Sequence, residues 1–339
     1  MTAVSVILTA YNEGKYIAEM LECIKNQTFK DFELIIVNDG STDDTQKIIE
    51  EYSNSIPNKK KILVQENQGI SVTRNNGMDV AEGEYIAFLD GDDVIPPDYL
   101  EKLYNAAVSA QADISKCSFE DFDQFGNRSG FISVTARDVE FAEGKRYLFQ
   151  YSPWGGLLKR EFVEKFNIRF SPGEQMEDSP FALITNQLAA NYAIVPDEEL
   201  VYLHRIHKGS IMANVAEAKT DPRIPYRGFE EAINKVRENT PDEFRTFSDY
   251  CFVRVMTDYS TQRYDTQNKS TRRELIDYMY RIMDTYFPDF PQNPYLSPGK
   301  LKQLPLFEKA AVRMFAGNYK RHTLYAFSYL VSVALRFRK

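Results

Sequence analysis

Residues 83–93 read GEYIAFLDGDD, an apolar run that stops abruptly at three closely spaced carboxylates. The run 85–89 predicts a buried strand, and Asp90, Asp92 and Asp93 follow it within four positions. Carboxylates this close repel one another, unless a cation binds between them. Two carboxylates at i and i+2 on a turn can point at one Mg²⁺ or Mn²⁺ ion. The alternative is a solvated acidic turn that caps the next helix, and the stretch alone leaves both open.

An acidic loop also raises the possibility of a calcium site of the EF-hand type. Counted from Asp90, the twelfth position is Glu101, as that loop requires. The sixth position, where the loop needs glycine, is Ile95, and Pro96 and Pro97 interrupt the loop. The EF-hand pattern therefore fails, although a calcium-binding module of another kind stays open as an alternative function.

On both sides of this stretch the sequence alternates between strand and helix patterns. The predicted strands cover residues 4–9, 32–37, 61–65, 84–89 and 113–119, and the predicted helices cover 15–26, 41–52, 71–81 and 96–110. Strands separated by helices predict an α/β fold, with a mostly parallel sheet and helices on both faces. The pattern changes after residue 151 and becomes mainly helical after residue 216. We therefore predict domains at 1–215 and 216–339.

Polar residues follow three of these strands at the point where each strand ends. They occupy residues 9–13, 38–41 and 90–93. In sheets of this kind ligands bind beyond the carboxyl ends of the strands, so these segments predict one shared site. Tyr11 has an aromatic face that can stack on a base, and Asp39 can accept a hydrogen bond from a pyrimidine ring N–H.

Three further segments carry candidate site residues. Arg74 opens a helix in NQGISVTRNNG and can reach a base carbonyl or a phosphate. Asp178 ends the acidic pair in GEQMEDSPF and can take a proton from a hydroxyl group. His204 and His207 in LHRIHKGS can contact phosphate or complete a metal shell. Each segment alone also fits an alternative without a functional role: a surface arginine, a helix cap and solvated histidines, respectively.

Composition and charge restrict the class of protein. The chain has 339 residues and a net charge of −8, but residues 300–339 contain nine Lys/Arg and one acid, which leaves −16 on the rest. An acidic body argues against nucleic-acid binding, which needs a basic groove. The three cysteines lack CxxC spacing, and the N-terminus has no basic leader before its apolar run. These features predict a cytoplasmic protein with reduced thiols.

Taken together and in this order, the motifs resemble the family 2 inverting glycosyltransferases with the GT-A fold, over residues 3–212. The motifs that carry the resemblance are VSVILTAYNEGKYI, FELIIVNDGSTDDT, NQGISVTRNNG, GEYIAFLDGDD, PWGGLLKREF, GEQMEDSPF and LHRIHKGSI. The resemblance implies a Rossmann-like sheet, a nucleotide-diphosphate sugar as donor and a divalent Mn²⁺ or Mg²⁺ ion. It favours UDP as the nucleotide, and it implies a glycan or lipid-linked acceptor in surface-polysaccharide synthesis.

The resemblance also assigns roles to individual positions. The donor-binding residues that it implies are Thr9, Tyr11, Glu13, Asp39, Arg74, Asp90, Gly91, His207 and Ser210. Asp92 matches the direct metal ligand, and His207 is a second candidate ligand. Asp178 matches the catalytic base that deprotonates the acceptor hydroxyl in a single displacement. His207 and Ser210 match a mobile loop that closes over the diphosphate.

One motif of processive relatives is missing. Polymerising members carry QxxRW, whereas the single tryptophan here, Trp154, follows Pro153. We therefore expect the addition of single sugars. Trp154 is a candidate acceptor platform, because aromatic faces stack on sugar rings, and a core tryptophan is the equal alternative.

The tail contains thirteen uncharged residues, 323–335, between Lys320–Arg321 and the basic segment 336–339. Crossing a bilayer takes about 20 apolar residues, so this segment is too short. It predicts an amphipathic helix that lies on the inner face of the cell membrane. The competing interpretation is a helix docked on the body or on a second subunit, which leaves a homo-oligomer open. For the whole chain, a catalytically inactive nucleotide-binding scaffold is the alternative to an enzyme.

Overall fold

The structure is a computed structural model that describes residues 2–134, 138–141, 144–147, 152–173, 176–207, 226–262, 269–297, 299–301, 304 and 306–336. The strands are β1 (Val4–Ala10), β2 (Phe32–Asn38), β3 (Lys60–Val64), β4 (Tyr85–Asp90), β5 (Ile114–Lys116), β6 (Ser118–Asp123), β7 (Arg128–Ile132), β8 (Asp138–Phe141), β9 (Gly144–Tyr147), β10 (Gly156–Lys159), β11 (Tyr192–Ile194) and β12 (Val201–Ile206). The helices are α1 (Ile17–Lys25), α2 (Thr45–Ser53), α3 (Ile70–Asp79), α4 (Tyr99–Ser109), α5 (Arg160–Lys165), α6 (Asp178–Leu188), α7 (Tyr226–Asn239), α8 (Asp242–Gln262), α9 (Lys269–Tyr286), α10 (Leu306–Lys320) and α11 (Leu324–Arg336).

A seven-stranded sheet with the order β11-β5-β10-β4-β1-β2-β3 forms the centre of the molecule. Every strand except β10 runs in the same direction, which confirms the predicted mostly parallel sheet. Strand β1 lies between β2 and β4, and Thr9 is opposite both Val37 and Asp90. This register brings the carboxyl ends of the three strands together at one edge of the sheet.

Successive residues of each central strand point to opposite faces of the sheet, so each face has its own core. On one face Ile7, Ile35 and Phe88 pack with α3, α5 and α6. On the other face Val6 and Leu34 pack with α1 and α4. The helices on both faces that the sequence predicted are therefore present.

The predicted strand 113–119 is divided in the structure between two sheets. Strand β5 stays in the large sheet, whereas β6 joins β12 and β7 in a three-stranded sheet. The chain changes partner at Cys117, whose amide donates to the Gly155 carbonyl at 2.9 Å. The run SKCSFE reads continuously as a strand because local pattern carries no information about which neighbour each half pairs with.

The C-terminal helices share a core with the sheet domain. Residues 179–188 of α6 are all buried, because the sheet lies on one side of this helix and α7 and α8 lie on the other. Phe170 and Phe181 belong to the same apolar cluster as Phe229 and Phe252 of the helical region. The predicted helical C-terminal region is therefore present. The predicted boundary between 215 and 216 lies outside the described residues and stays a prediction.

Candidate active site

The acidic turn after β4 is held from two sides at its first residue. Thr9 Oγ1 donates to Asp90 Oδ1 at 2.9 Å, and the Arg74 guanidinium donates to both Asp90 oxygens at 3.1 and 3.2 Å. Gly91 follows in a crowded position, where a Cβ would lie 2.9 Å from Ile17 Cδ1 and 3.1 Å from the Thr9 carbonyl oxygen. A side chain here would have to displace Ile17 and press on β1, so glycine allows the close approach of the turn to that strand.

Arg74 connects this turn to the beginning of helix α6. The side chain is buried, and its Nη1 donates to Glu177 Oε1 at 2.8 Å while Nη2 holds Asp90. The guanidinium also lies 5.2 Å from the ring centre of Phe170. Burial raises the pKa of Glu177, and the neighbouring Arg74 charge opposes that rise. The two carboxylates and one guanidinium form a network that joins the acidic turn to Glu177, the residue before Asp178.

The main chain adds a second constraint just before the candidate base. Met176 adopts a φ of +63°, in the left-handed region that side chains other than glycine rarely occupy. Such a conformation persists only where the surroundings determine it, and such positions occur often at functional sites. Asp178 itself is the first residue of α6 and is partly exposed, so its carboxylate lies at the positive end of the helix dipole.

Arg74→Met is expected to lower the free energy of unfolding by about 3–5 kcal/mol, because it leaves the buried Glu177 and the partly buried Asp90 without a cation. Urea unfolding measures the change. The matched control is Arg128→Met, which removes an exposed arginine paired with Glu120 at 2.7 Å and is expected to cost under about 1 kcal/mol. Equal stability of the two variants would contradict the structural role of Arg74.

Glu13, Asp92 and His207 form a cluster with the spacing of a metal site. One ligand atom from each lies within 4.8 Å of the others, and His207 Nε2 is 2.9 Å from Asp92 Oδ2. Glu13 Oε2 is buried and has no hydrogen-bond partner among the described residues. Burial, followed by the nearby carboxylates of Asp92, Asp90 and Asp43, raises the pKa of Glu13 to about 8. A divalent cation fits this set, because it would satisfy the unpaired oxygen and offset the repulsion.

Asp93, the third acid of the turn, is hydrogen-bonded within the protein at both carboxylate oxygens. Its Oδ1 accepts the Arg205 amide at 2.8 Å, and its Oδ2 accepts the Tyr202 hydroxyl at 2.5 Å. The Arg205 side chain donates from Nε to the Asp92 carbonyl at 2.6 Å. These bonds fix the acidic turn to β12, the strand that ends immediately before His207. The sequence showed Asp93 as part of the acidic stretch but gave no signal for its bond to Arg205, since the two residues are 112 positions apart.

Tyr11 and Asp39 lie in the loops after β1 and β2. Tyr11 is 47% exposed, so its ring can meet a ligand. Asp39 is buried and accepts the amides of Gln68 and Gly69 at 2.8 and 2.9 Å and the side chain of Gln65 at 2.8 Å. Asp39 therefore anchors the loop that starts α3, and its predicted contact with a base stays a prediction.

Trp154 lies in an aromatic stack on the three-stranded sheet. The ring is 8% exposed and stacks on Tyr202 at 4.7 Å and on His204 at 5.0 Å, with Phe119 against its edge. This packing matches the alternative of a core tryptophan, and the acceptor role stays a prediction. Ser210, the remaining predicted donor residue, lies outside the described residues.

His204 is a partly exposed histidine with an acidic partner, Asp121, at 2.8 Å from its Nδ1. Burial acts to lower the pKa of His204, but the hydrogen bond to Asp121 and the charges of Asp93, Asp121 and Asp92 raise it to about 9. The imidazolium therefore stays protonated above the range in which an unfolded histidine loses its proton.

His204→Gln is expected to flatten the pH dependence of stability. The raised pKa gives the wild type a contribution of about 1–3 kcal/mol that is complete below pH 6.5 and is lost as the pH approaches 9. Urea unfolding of wild type, His204→Gln and Asp121→Asn across this range measures the difference. His204→Gln is expected to lose the whole contribution and Asp121→Asn a large part of it, because Asp93 and Asp92 remain. Parallel curves for all three proteins would contradict the ion pair.

The sheet order and the acidic edge site define the GT-A class of α/β proteins. The structure of Staphylococcus aureus TarS 1–349 in complex with UDP-GlcNAc is similar to this chain with a TM-score of 0.71 at 20% identity, over 99% of this chain and 92% of that one. Mannosyltransferase PcManGT from Pyrobaculum calidifontis, in complex with GDP-Man and Mn²⁺, is similar with a TM-score of 0.55 at 16% identity, over 98% and 86%. Both likenesses establish the fold.

Sequence comparison identifies the family. The model of glycosyl transferase family 2 matches residues 5–166. Glycosyltransferase GlyG of Streptococcus pneumoniae is 30% identical over 224 residues, which cover 62% of this chain and 72% of the relative. Putative glycosyltransferase EpsH of Bacillus subtilis is 35% identical over 219 residues, which cover 62% of each chain, so over a third of that relative lies outside the match. The chain belongs to the family 2 glycosyltransferases.

Proposed function

We propose that the protein is a metal-dependent inverting glycosyltransferase that moves one sugar from a UDP-sugar to a hydroxyl group of a glycan or lipid-linked acceptor in surface-polysaccharide synthesis. The observation that carries this proposal is the buried network Asp90–Arg74–Glu177. In this network Arg74 joins the acidic turn, which has the residues for a cation, to the residue before the partly exposed Asp178.

The nucleoside end of the donor would bind between the loops after β1 and β2. The exposed ring of Tyr11 offers a stacking face, and Asp39 Oδ2 accepts one amide bond and so has room to accept a ring N–H. Thr9 and Arg74 are both bonded to Asp90 and would act on the donor through that residue. A complex of the similarly folded TarS with UDP-GlcNAc supports UDP as the nucleotide.

Glu13, Asp92 and His207 would hold Mn²⁺ or Mg²⁺, and the bound PcManGT complex with Mn²⁺ supports this ion type. When bound, such an ion supplies positive charge to a departing diphosphate. The chain's own contribution is to bring the three ligand atoms together. His207 follows β12, and Asp93 connects that strand to the acidic turn. The position of His207 is therefore fixed relative to Asp92.

Asp178 would act as the general base. Its carboxylate takes the proton of the acceptor hydroxyl as that oxygen attacks the anomeric carbon from the side opposite the diphosphate. Glu177 is paired with Arg74 and is not available for this proton, so the two adjacent acids have different tasks. A single displacement inverts the anomeric centre, and an α-linked donor gives a β-linked product. Because QxxRW is missing, we expect release after one transfer.

Hydrolysis of a panel of nucleotide sugars by the full chain, with Mn²⁺, with Mg²⁺ and with EDTA, tests this proposal. We expect metal-dependent turnover of a UDP-sugar. Nucleotide binding without turnover of any donor, in the presence of candidate acceptors, would favour the inactive scaffold. Metal binding that is indifferent to nucleotide would favour the calcium-binding module. Either result would overturn the proposed glycosyltransferase activity.

A further inference from the structure

Helices α10 and α11 have apolar side chains on the face that is turned away from the core. On α10, Phe307 is 71% exposed, and Ala310, Met314 and the partly exposed Gly317 continue its stripe at intervals of three or four residues. Such spacing places them on one side of the helix. An exposed helical face in a globular protein is ordinarily polar, so this stripe needs a partner.

Helix α11 repeats the arrangement. Leu330 is 65% exposed and follows Ala326 by four residues, and Tyr325 and Tyr329 form a second exposed pair with the same spacing. The opposite faces of both helices are fixed in the core, through Val312, Phe315 and Tyr319 of α10 and Leu324 and Phe327 of α11. The two helices are therefore held by the body while their outer faces stay apolar.

Positive charge accompanies this face. Lys320 and Arg321 are exposed where α10 ends, and Arg321 Nη1 lies 3.6 Å from the position of a Cβ on Gly317, so the guanidinium lies along the apolar stripe. Residues 300–339 contain nine Lys/Arg and one acid, against a net −16 for the remaining chain. The net charge is thus unevenly distributed, and the segment that exposes apolar side chains is the positive one.

We propose that this face, formed by the exposed residues of α10 and α11, binds an anionic membrane surface. Apolar side chains would enter the acyl boundary, tyrosines would lie at the headgroups, and Lys320 and Arg321 would contact anionic lipid. None of the described helices is long and apolar enough to cross a bilayer, so the helices lie along the surface. A two-fold pairing of this face would instead set the basic residues of two copies against each other, which disfavours a second copy as the occupant.

Co-sedimentation of the full chain with vesicles tests the proposal independently of activity. We expect binding to vesicles of phosphatidylcholine mixed with phosphatidylglycerol, and little binding to phosphatidylcholine alone. Raising the salt concentration is expected to weaken binding, because the attraction of Lys320 and Arg321 is screened. The variant Phe307→Ser/Leu330→Ser is expected to bind at least about tenfold more weakly, since it removes the largest inserted side chains. Lys320→Glu/Arg321→Glu is expected to lose about tenfold or more.

The matched control is Phe125→Ser, which removes a side chain that is 79% exposed in the turn between β6 and β7. This variant is expected to bind vesicles as the wild type does. Absence of binding to anionic vesicles, or equal binding by Phe307→Ser/Leu330→Ser, would overturn the proposal. The proposal would also be overturned if the wild type formed an oligomer in the absence of lipid and these substitutions dissociated it. Donor hydrolysis in solution is expected to be equal in all variants. Loss of vesicle binding can therefore be distinguished from loss of glycosyltransferase activity.

Discussion

Asp178→Asn is expected to lower the rate of sugar transfer by about 10²–10⁴-fold, the usual contribution of a general base. The amide keeps the size of the side chain but cannot accept the acceptor's proton. Affinity for UDP with metal is expected to stay within about twofold, because the interaction that is lost is made during the transfer step. Initial rates of donor turnover and calorimetric titration of UDP with Mn²⁺ measure the two quantities.

The chain offers a matched control for this substitution in Asp242. It is also the first residue of a helix, α8, and its side chain is exposed and pairs with Arg245. Asp242→Asn changes helix-end electrostatics in the same way and is expected to leave transfer unchanged. Equal activity of Asp178→Asn and the wild type would show that the proton leaves by another route.

The fold was predictable where apolar runs alternate with helix patterns. The strands that became β1, β2 and β4 are apolar runs, β3 is a shorter one, and all four are separated by helices, so a parallel sheet follows from that alternation. The reversed strand β10 was not predictable, because it spans four residues and depends on pairing with both β4 and β5. Local pattern indicates that a short strand exists but contains no information on its direction.

The site residues were predictable to the extent that strand ends converge. Thr9 and Asp90 lie at the ends of β1 and β4, and Asp39 follows the neighbouring β2, so the three residues lie at one edge. The bond from Arg74 to Glu177 spans 103 residues, and nothing in either segment indicates the other. The sequence of this polar segment resembles a surface helix. Only the folded structure shows that Arg74 is buried and that two carboxylates balance its charge.

Asp92→Asn is expected to weaken Mn²⁺-dependent binding of UDP by about 100-fold or more, because it removes a direct ligand from a partly buried charged site. Glu13 and His207 are the other two residues of the cluster, so the variant would keep two of the three ligand groups. Binding of UDP in EDTA is expected to be equal in the variant and the wild type. Calorimetric titration of UDP with and without Mn²⁺ separates metal-dependent from metal-independent UDP binding.

Metal-free stability provides the test that distinguishes a lost ligand from a damaged fold. Asp92→Asn removes one negative charge from a group of repelling carboxylates, so its melting temperature without metal is expected to equal or exceed that of the wild type. Stabilisation by added Mn²⁺ is expected to be lost, since a ligand stabilises only the state that binds it. Asp98→Asn, at an exposed carboxylate that pairs with Lys102, is expected to keep both properties. Unchanged Mn²⁺-dependent UDP binding in Asp92→Asn would place the cation elsewhere and leave the close approach of these carboxylates without a cause.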